Sequence, residues 1–454
     1  MNGASSPLPG GGASVVTGAA NGFLIQSGTG SLIEVEMLDI TVRRNPTQSL
    51  PVTCIRVDGS GGGAYLDASR IRVADCNTSG IYLGSTGGVT LRESLIENNA
   101  KSGIRNSGGS GLLVYSSLIQ GNSATSGGSS GSGGGVYQVG EGNNNFYNTT
   151  ITSNSAVNGG GLYVANVGGG YLDAYNCTIA FNSASARGGG VYEGTTGGTP
   201  LRIIDSILAK NTAPSGGPDT WGYVGSYRSF HGSVQGNTGS HFQDIYHPTN
   251  TLDPLLGALM DMGGRTRTRP LLVGSPAWDA ISNSGTEGQR DQRGSPRSVG
   301  ANEDMGAYEA GPFETEITTV AATSSGDSYS VTTSSGYSGG SGRHFFANAT
   351  NDHITFGVGV PETGTYNIKV RMRKLNANGI YQLATANSLG GTYTNRGSAM
   401  DTYAAAPGSF VEYNLGNASF TSTGTKYFRL RATGKNAASA GYDASTDYIK
   451  LTKQ

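Results

Sequence analysis

Lysine is scarce in this sequence: there are eight among 454 residues, and six of those follow residue 312. Charged residues of both signs make up only 13%, and 30 Lys and Arg against 31 Asp and Glu leave a formal net charge of −1. A surface for nucleic acid or anionic lipid needs clustered positive charge, which this balance does not supply. No apolar run approaches the roughly 20 residues of a membrane-spanning helix. Leucine-rich stretches of helical period are missing as well, which excludes a helical bundle. Three cysteines are too few for a disulfide scaffold, and no pair has the spacing of a zinc site. The start, Met1-Asn2-Gly3-Ala4, shows no charged segment leading into an apolar one. The expectation is a leader already removed, or export by another route such as a virus particle.

Glycine, by contrast, is abundant: 75 residues, more than twice the usual share of about 7%. The 23 Tyr and 12 Phe do not fit a solvated coil. A large, β-rich, glycine-punctuated protein remains.

A repeat runs from about residue 65 to 215. An aliphatic residue is followed three positions later by asparagine: Ile96 with Asn99, Ile119 with Asn122, Ile151 with Asn154, Ile179 with Asn182, Leu208 with Asn211. Successive asparagines are 23, 32, 28 and 29 residues apart. Between them recurs glycine followed by apolar residues, as in Gly80-Ile81-Tyr82, Gly135-Val136-Tyr137 and Gly161-Leu162-Tyr163. Repeats of this length indicate a solenoid, and no unit holds a helical stretch. The pattern predicts a right-handed parallel β-helix with the aliphatic residues stacked inward. The asparagines form a corner ladder, where they tolerate left-handed backbone angles. Ser123 to Gly135, nearly all Gly and Ser, reads as a flexible loop. Cys54 and Cys76, 22 residues apart, are about one repeat apart and are placed to stack. Two buried thiols are the preferred expectation over a bridge.

Residues 1–20 read as an N-terminal cap or flexible segment, 21–312 as the β-helix, with 253–309 as its C-terminal capping region. In that region, Asp253-Pro254-Leu255-Leu256-Gly257 precedes Gly263-Gly264-Arg265-Thr266-Arg267-Thr268 and Leu271-Leu272-Val273-Gly274-Ser275-Pro276-Ala277-Trp278-Asp279-Ala280. Asp291-Gln292-Arg293-Gly294 and Asp304-Met305-Gly306-Ala307-Tyr308-Glu309 follow. This order resembles the C-terminal β-helix segment of the choice-of-anchor family, secreted surface-attached bacterial proteins related in pattern to polymorphic outer-membrane and pectate-lyase-like β-helices. The resemblance implies architecture and an extracellular, cell-surface or virion location, but no reaction. The charges Asp291, Arg293, Asp304 and Glu309 read as a salt-bridged cap closing the last rung. The sharper alternative is a calcium ion held by Asp291 and Asp304; no cofactor is otherwise required.

Composition shifts after Gly311-Pro312. Alternating segments such as Ile354-Thr355-Phe356, Gly364-Thr365-Tyr366-Asn367-Ile368-Lys369-Val370 and Lys426-Tyr427-Phe428-Arg429-Leu430-Arg431 predict a β-sandwich over 313–454. Tyr337-Ser338-Gly339-Gly340, Gly364-Thr365-Tyr366 and Asp447-Tyr448-Ile449-Lys450-Leu451 resemble carbohydrate-binding jelly-roll modules, a type also found in phage tail proteins. The resemblance implies a polysaccharide partner. Sugar recognition needs an exposed aromatic face and planar polar groups. The candidates are Tyr393, Tyr403 and Tyr442, with Asn395, Arg396, Asp401 and Asn436, while Tyr381 reads as strand packing.

No catalytic constellation emerges. Glu93, Ser116, Asn148, Asn176 and Asp205 align in one column, but Glu93 and Asp205 stand four rungs apart, roughly 19 Å at about 4.8 Å per rung, too far for one glycosidic bond. Asp67, Asp75, Asp173 and Glu193 form no convincing pair, and His231, His241 and His247 read as surface histidines. Three functions are weighed: a non-catalytic recognition protein of adhesin or phage tail spike type, a polysaccharide lyase or glycoside hydrolase, and a purely structural virion or surface-layer component. The first is preferred, with a homotrimer or other clustered assembly as partner arrangement.

Overall fold

The computed structural model describes residues 14–16, 21–27, 30, 32–47, 51–59, 62–109, 111–126, 131–165, 170–194, 201–222, 224–227, 229–231, 234–235, 241–242, 245–246, 253–272, 274–281, 290–297, 302–311, 313–316, 320–334, 336–337, 341–406 and 408–454. They divide into two compact units. One comprises Gly12–Leu256 and Val273–Glu309, the other Gly257–Leu272 and Ala310–Gln454. Residues 257–272, inside the stretch read as a solenoid cap, therefore group with the C-terminal unit.

The first unit is a parallel β-solenoid. Among the described residues its rungs build three long parallel sheets of ten, nine and nine strands, with a short fourth of three. The predicted column forms in register: Ile96 pairs Ile119, Ile119 pairs Ile151, Ile151 pairs Ile179 and Ile179 pairs Leu208. All five side chains have no exposed surface. The ladder forms beside them. Asn122 accepts at Oδ1 from the Asn99 backbone N–H at 3.1 Å and from Asn99 Nδ2 at 2.8 Å. Its own Nδ2 donates to the Ile96 carbonyl at 3.1 Å and to Asn154 Oδ1 at 2.9 Å. The pattern repeats at Asn154 and Asn182, and Asp219 ends it by accepting from Asn211.

The left-handed residue is the one before each ladder asparagine: Asn98, Gly121, Ser153, Phe181 and Lys210 all have φ between 56° and 63°. The asparagines themselves are free of that strain and spend both amide ends on the stack. A second ladder, of hydroxyls, escaped the sequence reading. Ser94, Ser117, Ser206 and Ser229 each accept an N–H from the rung before; Ser94 and Ser206 hand on a comparable bond to Ser117 and Ser229, and Ser117 a longer one, 3.4 Å, to Thr149.

Three expectations change. Cys54 and Cys76 are bridged, their Cα atoms 5.9 Å apart, so the rung spacing had already brought the thiols within reach. Cys177 stays a free buried thiol. Both ends of the Gly/Ser insertion are held in place: Ser123–Ala124 pairs with Ser155–Asn158 in the fourth sheet, and Gly133 and Gly134 bond to Asn158 and Gly159; residues 127–130 lie outside the described residues. In the N-terminal segment, Ser14–Val16 pairs with Ile40–Val42 as an ordinary strand; the rest of 1–20 lies outside the described residues.

The charged segment expected to close the last rung lies instead along the side of the solenoid. Gln292 accepts from Thr150 Oγ1 at 2.6 Å, and Ala307 N–H donates to Thr178 Oγ1 at 3.0 Å. Gly306 N–H reaches the Asp205 carbonyl at 2.9 Å, and Arg297, with no exposed surface, donates to Asn148 Oδ1 at 2.6 Å. This strap explains why Thr150, Thr178 and Ile207, whose side chains point out of the solenoid core, are nonetheless buried; Thr152 is buried as well. Thr152, which the alternation of the strand places on an outer face, is therefore not a surface position.

The second unit is two antiparallel sheets. One joins Ser328–Thr333, Ser341–Phe346, Ala444–Lys453, Gly364–Arg373 and Phe410–Phe420, with Phe313–Glu316 beside Ala444–Lys453. The other joins, in order, Val320–Thr323, His353–Val360, Gly424–Gly434, Ile380–Ala386 and Thr394–Asp401. Phe345, Phe356, Tyr366, Phe428, Leu430 and Ile449 are among the side chains in the core.

Two outcomes test this architecture. Asn154→Ala orphans the buried Asn122 N–H, at roughly 1–3 kcal/mol, and removes one of the two bonds of its amide nitrogen, and Ile151→Ala is expected to cost roughly 2–5 kcal/mol. Denaturant unfolding should show both losses, with no comparable loss for exposed Glu141→Ala. The double change Cys54→Ala with Cys76→Ala should lower stability by about 3 kcal/mol, the loop-closure value for a loop of this size, with reduction of the wild type reproducing it.

Candidate functional site

On the solenoid, the column Glu93, Ser116, Asn148, Asn176 and Asp205 is a backbone corner. All five have φ between 49° and 52°, the left-handed region that asparagine, aspartate and serine enter at least cost. The acids nearby are committed to cations. Asp58 pairs with Arg56, Asp67 with Arg92, Glu97 with Arg72 and Asp173 with Arg202. Glu97 also accepts from Gln120 at 2.6 Å.

Two tyrosine stacks run along the outer faces. Tyr115, Tyr147 and Tyr175 stack with centroids 5.0 and 5.1 Å apart, and Tyr137, Tyr163 and Tyr192 at 5.1 Å, all nearly parallel. Arg105 caps Tyr137 at 4.0 Å. A ring stacked on both sides has no face left for a sugar; these columns hold rungs together.

Asp291 and Asp304, the calcium candidates, both belong to the strap. Asp291 accepts from the backbone N–H of Arg293, Ser295 and Glu309 and from Arg293 Nε at 2.7 Å. Asp304 accepts the Asp279 N–H at 2.6 Å, and its own N–H donates to Glu309 Oε2 at 2.9 Å. Glu309 lies 3.7 Å from Arg297, both without exposure. The carboxylates act here as acceptors that shape the strap. Among the described residues no group of three or more His, Cys, Asp and Glu side chains could hold a metal ion. His247 and the side chains of His231 and His241 lie outside the described residues.

In the sandwich the seven sugar-contact candidates split into two groups. Asp401 pairs Ile380 at one end of the Ile380–Ala386 strand, whose other neighbour there is Gly434. Asn436 Nδ2 donates to Asp401 Oδ2 at 2.9 Å, the Tyr403 N–H donates to Asp401 Oδ1 at 3.0 Å, and Asn436 Oδ1 accepts the Ala438 N–H at 3.1 Å. Tyr442 packs on the core from the same loop, with Lys435 Nζ 5.2 Å from its ring. The loop is pinned by Ser439, which donates to the Asn378 carbonyl at 2.8 Å. Tyr381 is fully buried, as expected of a packing residue, and its hydroxyl bonds the Tyr442 carbonyl. Asp401, Tyr403, Asn436 and Tyr442 thus form one cluster at a loop end, joined by Lys435, which sequence reading missed.

Tyr393, Asn395 and Arg396 lie at the other end of the same strand, where Thr385 pairs Thr394 and Phe428. Three strand positions separate Asp401 from Arg396 and four separate it from Asn395, roughly 10 and 14 Å. Arg396 is turned to structure: Nε donates to buried Thr385 Oγ1 at 2.8 Å, and burial holds its pKa below the usual arginine value. Tyr393 lies under Arg429, whose guanidinium carbon is 3.7 Å from the ring centroid. Arg429 and Arg431 were also missed, although the alternation Phe428-Arg429-Leu430-Arg431 puts both on one face.

A family model for the right-handed β-helix region matches residues 53–238. Among solved structures, a xanthan lyase from Paenibacillus is 32% identical over 34% of this chain and 14% of its own, with a TM-score of 0.28. A family 35 carbohydrate-binding module from Clostridium thermocellum is 18% identical over 32% of this chain and all of its own, with a TM-score of 0.23. A Podospora anserina β-1,4-mannanase carrying such a module is 19% identical over 32% of this chain and 28% of its own, with a TM-score of 0.23. The chain thus spans well under two thirds of the length of the xanthan lyase and the mannanase. No curated protein matches it.

The tyrosine stacks have a measurable signature. Burial, with the Asp173 charge next, pushes Tyr175 up to about 12, and burial also raises Tyr147 and Tyr163. The fold therefore favours neutral phenols. Their stabilisation is complete below the unfolded value near 10 and is lost as pH rises toward about 12. Tyr175→Phe should lose less melting temperature over that range than the wild type; equal losses would contradict the assignment.

Proposed function

We propose that the chain is an extracellular recognition protein: a rigid β-helical rod that presents a sandwich binding polysaccharide at the loop end formed by Asp401, Tyr403, Asn436 and Tyr442. One observation carries this reading. The Asp401–Asn436 hydrogen bond fixes a carboxylate and an amide side by side next to the half-buried Tyr403. Planar oxygens and N–H groups held rigidly can bond adjacent sugar hydroxyls, while the ring meets the C–H face. The sequence resemblance to carbohydrate-binding jelly rolls supports the same conclusion. The Cys54–Cys76 bridge fits an oxidising compartment, in line with the choice-of-anchor resemblance. Ion pairing of the solenoid acids favours recognition over glycosidic chemistry, which would need two carboxylates working on one bond.

Single shallow sites of this kind bind modestly because water competes for each hydroxyl bond. Affinities between about 1 mM and 1 µM follow, and clustering of copies would supply avidity. Calorimetric titration of the full chain against a panel of bacterial polysaccharide fragments tests the reading. Tyr403→Ala and Asn436→Ala should each weaken the best ligand about tenfold with the fold intact. Unchanged binding in the double variant would overturn the site. Release of reducing ends or unsaturated products, lost on changing a solenoid acid, would overturn the non-catalytic reading.

A further inference from the structure

We propose that the outward face of the sheet containing Gly424–Gly434 carries a second site, for a negatively charged sugar, centred on Arg429 and Arg431. The inference rests on the sandwich being a glycan-binding module but not on its loop-end cluster. In the Gly424–Gly434 strand, Phe428, Leu430 and Ala432 face the core, so Tyr427, Arg429 and Arg431 face the other way. Arg429 pairs across to Thr355 on one side and Ala384 on the other, and Ala384 in turn pairs Asn395. Arg431 sits between His353 and Gln382. Gly357 and Ala386 flank Tyr427 in the next row. On the side of Arg429 away from Thr355 the floor is the small side chain of Ala384, with Asn395 beyond it two strands away, roughly 10 Å, which is the room a sugar ring needs.

The arginines are oriented but not neutralised. Arg429 Nε donates to Thr355 Oγ1 at 3.1 Å, and its guanidinium carbon lies 3.7 Å from the Tyr393 centroid. Arg431 Nη1 donates to Asn351 Oδ1 at 3.3 Å. Neither has a carboxylate in ion-pair contact among the described residues, whereas Arg70, Arg202, Arg293 and Arg371 each hold an aspartate. Burial, then the Arg429 charge, keeps His353 below the usual histidine range, against the smaller opposing effects of the Asn351 carbonyl and the charges of Asp327 and Asp352. A guanidinium fixed through Nε and an aromatic face leaves its terminal N–H groups for a planar oxyanion. The carboxylate of a uronic acid and a sulfate ester on a sugar share that chemistry.

The test uses the full chain and three probes: an oligogalacturonate, its methyl ester and a sulfated dextran oligomer. Calorimetry should show binding of at least one anionic probe, none of the ester, and a steep loss with salt. Arg429→Gln and Arg431→Gln should each reduce that binding roughly ten- to hundredfold. Arg429→Lys keeps the charge without the fork and should lose several-fold. Asn436→Ala at the loop end should leave anionic binding unchanged, which separates this proposal from the other site. Preference between the uronate and the sulfated probe identifies the source of the anion. Equal binding of acid and ester, undiminished affinity in the double arginine variant with unchanged melting, or no binding of either anionic probe would overturn the proposal.

Discussion

Rung-on-rung stacking is the constraint on which the first unit depends. Parallel strands about 4.8 Å apart force equivalent positions into columns, so a side chain survives only if it can be repeated above and below itself. Aliphatic residues meet that condition by packing. Asparagine meets it because its amide carries a donor and an acceptor that satisfy the next rung and the Ile carbonyl together. Tyrosine meets it by parallel stacking. Charge does not repeat well, which is consistent with so few lysines and with the pairing of Asp39, Asp58, Asp67, Glu97 and Asp173 with arginines.

The same constraint limits what the solenoid can do. Its buried columns are committed to stability, its inner tyrosines Tyr147 and Tyr163 are stacked on both faces, and one flank lies under the strap of residues 290–297 and 302–309. An antiparallel sandwich carries no such repetition. Its strand ends can differ from each other, and its outward face can hold unpaired polar groups. Both proposed sites therefore fall in the second unit, one on loops and one on the sheet face.

Much of this was legible in the sequence. The three-residue offset from Ile96 to Asn99 and its four successors identified the column, the ladder and the fold, because periodicity survives in one dimension. Three things did not. The Cys54–Cys76 bridge depends on rung phase at the weakly patterned start, where spacing alone allows stacking without bonding. The strap contacts Thr150 and Thr178 from more than a hundred residues away, and nothing local marks an acid such as Asp291 as a flank anchor rather than a cap or an ion ligand. The split of the seven sandwich candidates followed from strand register, which sets Tyr393 and Tyr403 at opposite ends of the Ile380–Ala386 strand. Arg429 and Arg431 could have been found from alternation alone, had polar residues on the outward face been weighed beside loop aromatics.

Hydrogen exchange of the full chain with and without a bound polysaccharide fragment addresses the division of labour between the two units directly. The account predicts added protection in the sandwich, at residues 375–403 and 427–442, and an unchanged, uniformly slow pattern along the rungs from Ile96 to Asn211. Protection appearing on the solenoid faces, with the sandwich unaffected, would contradict it.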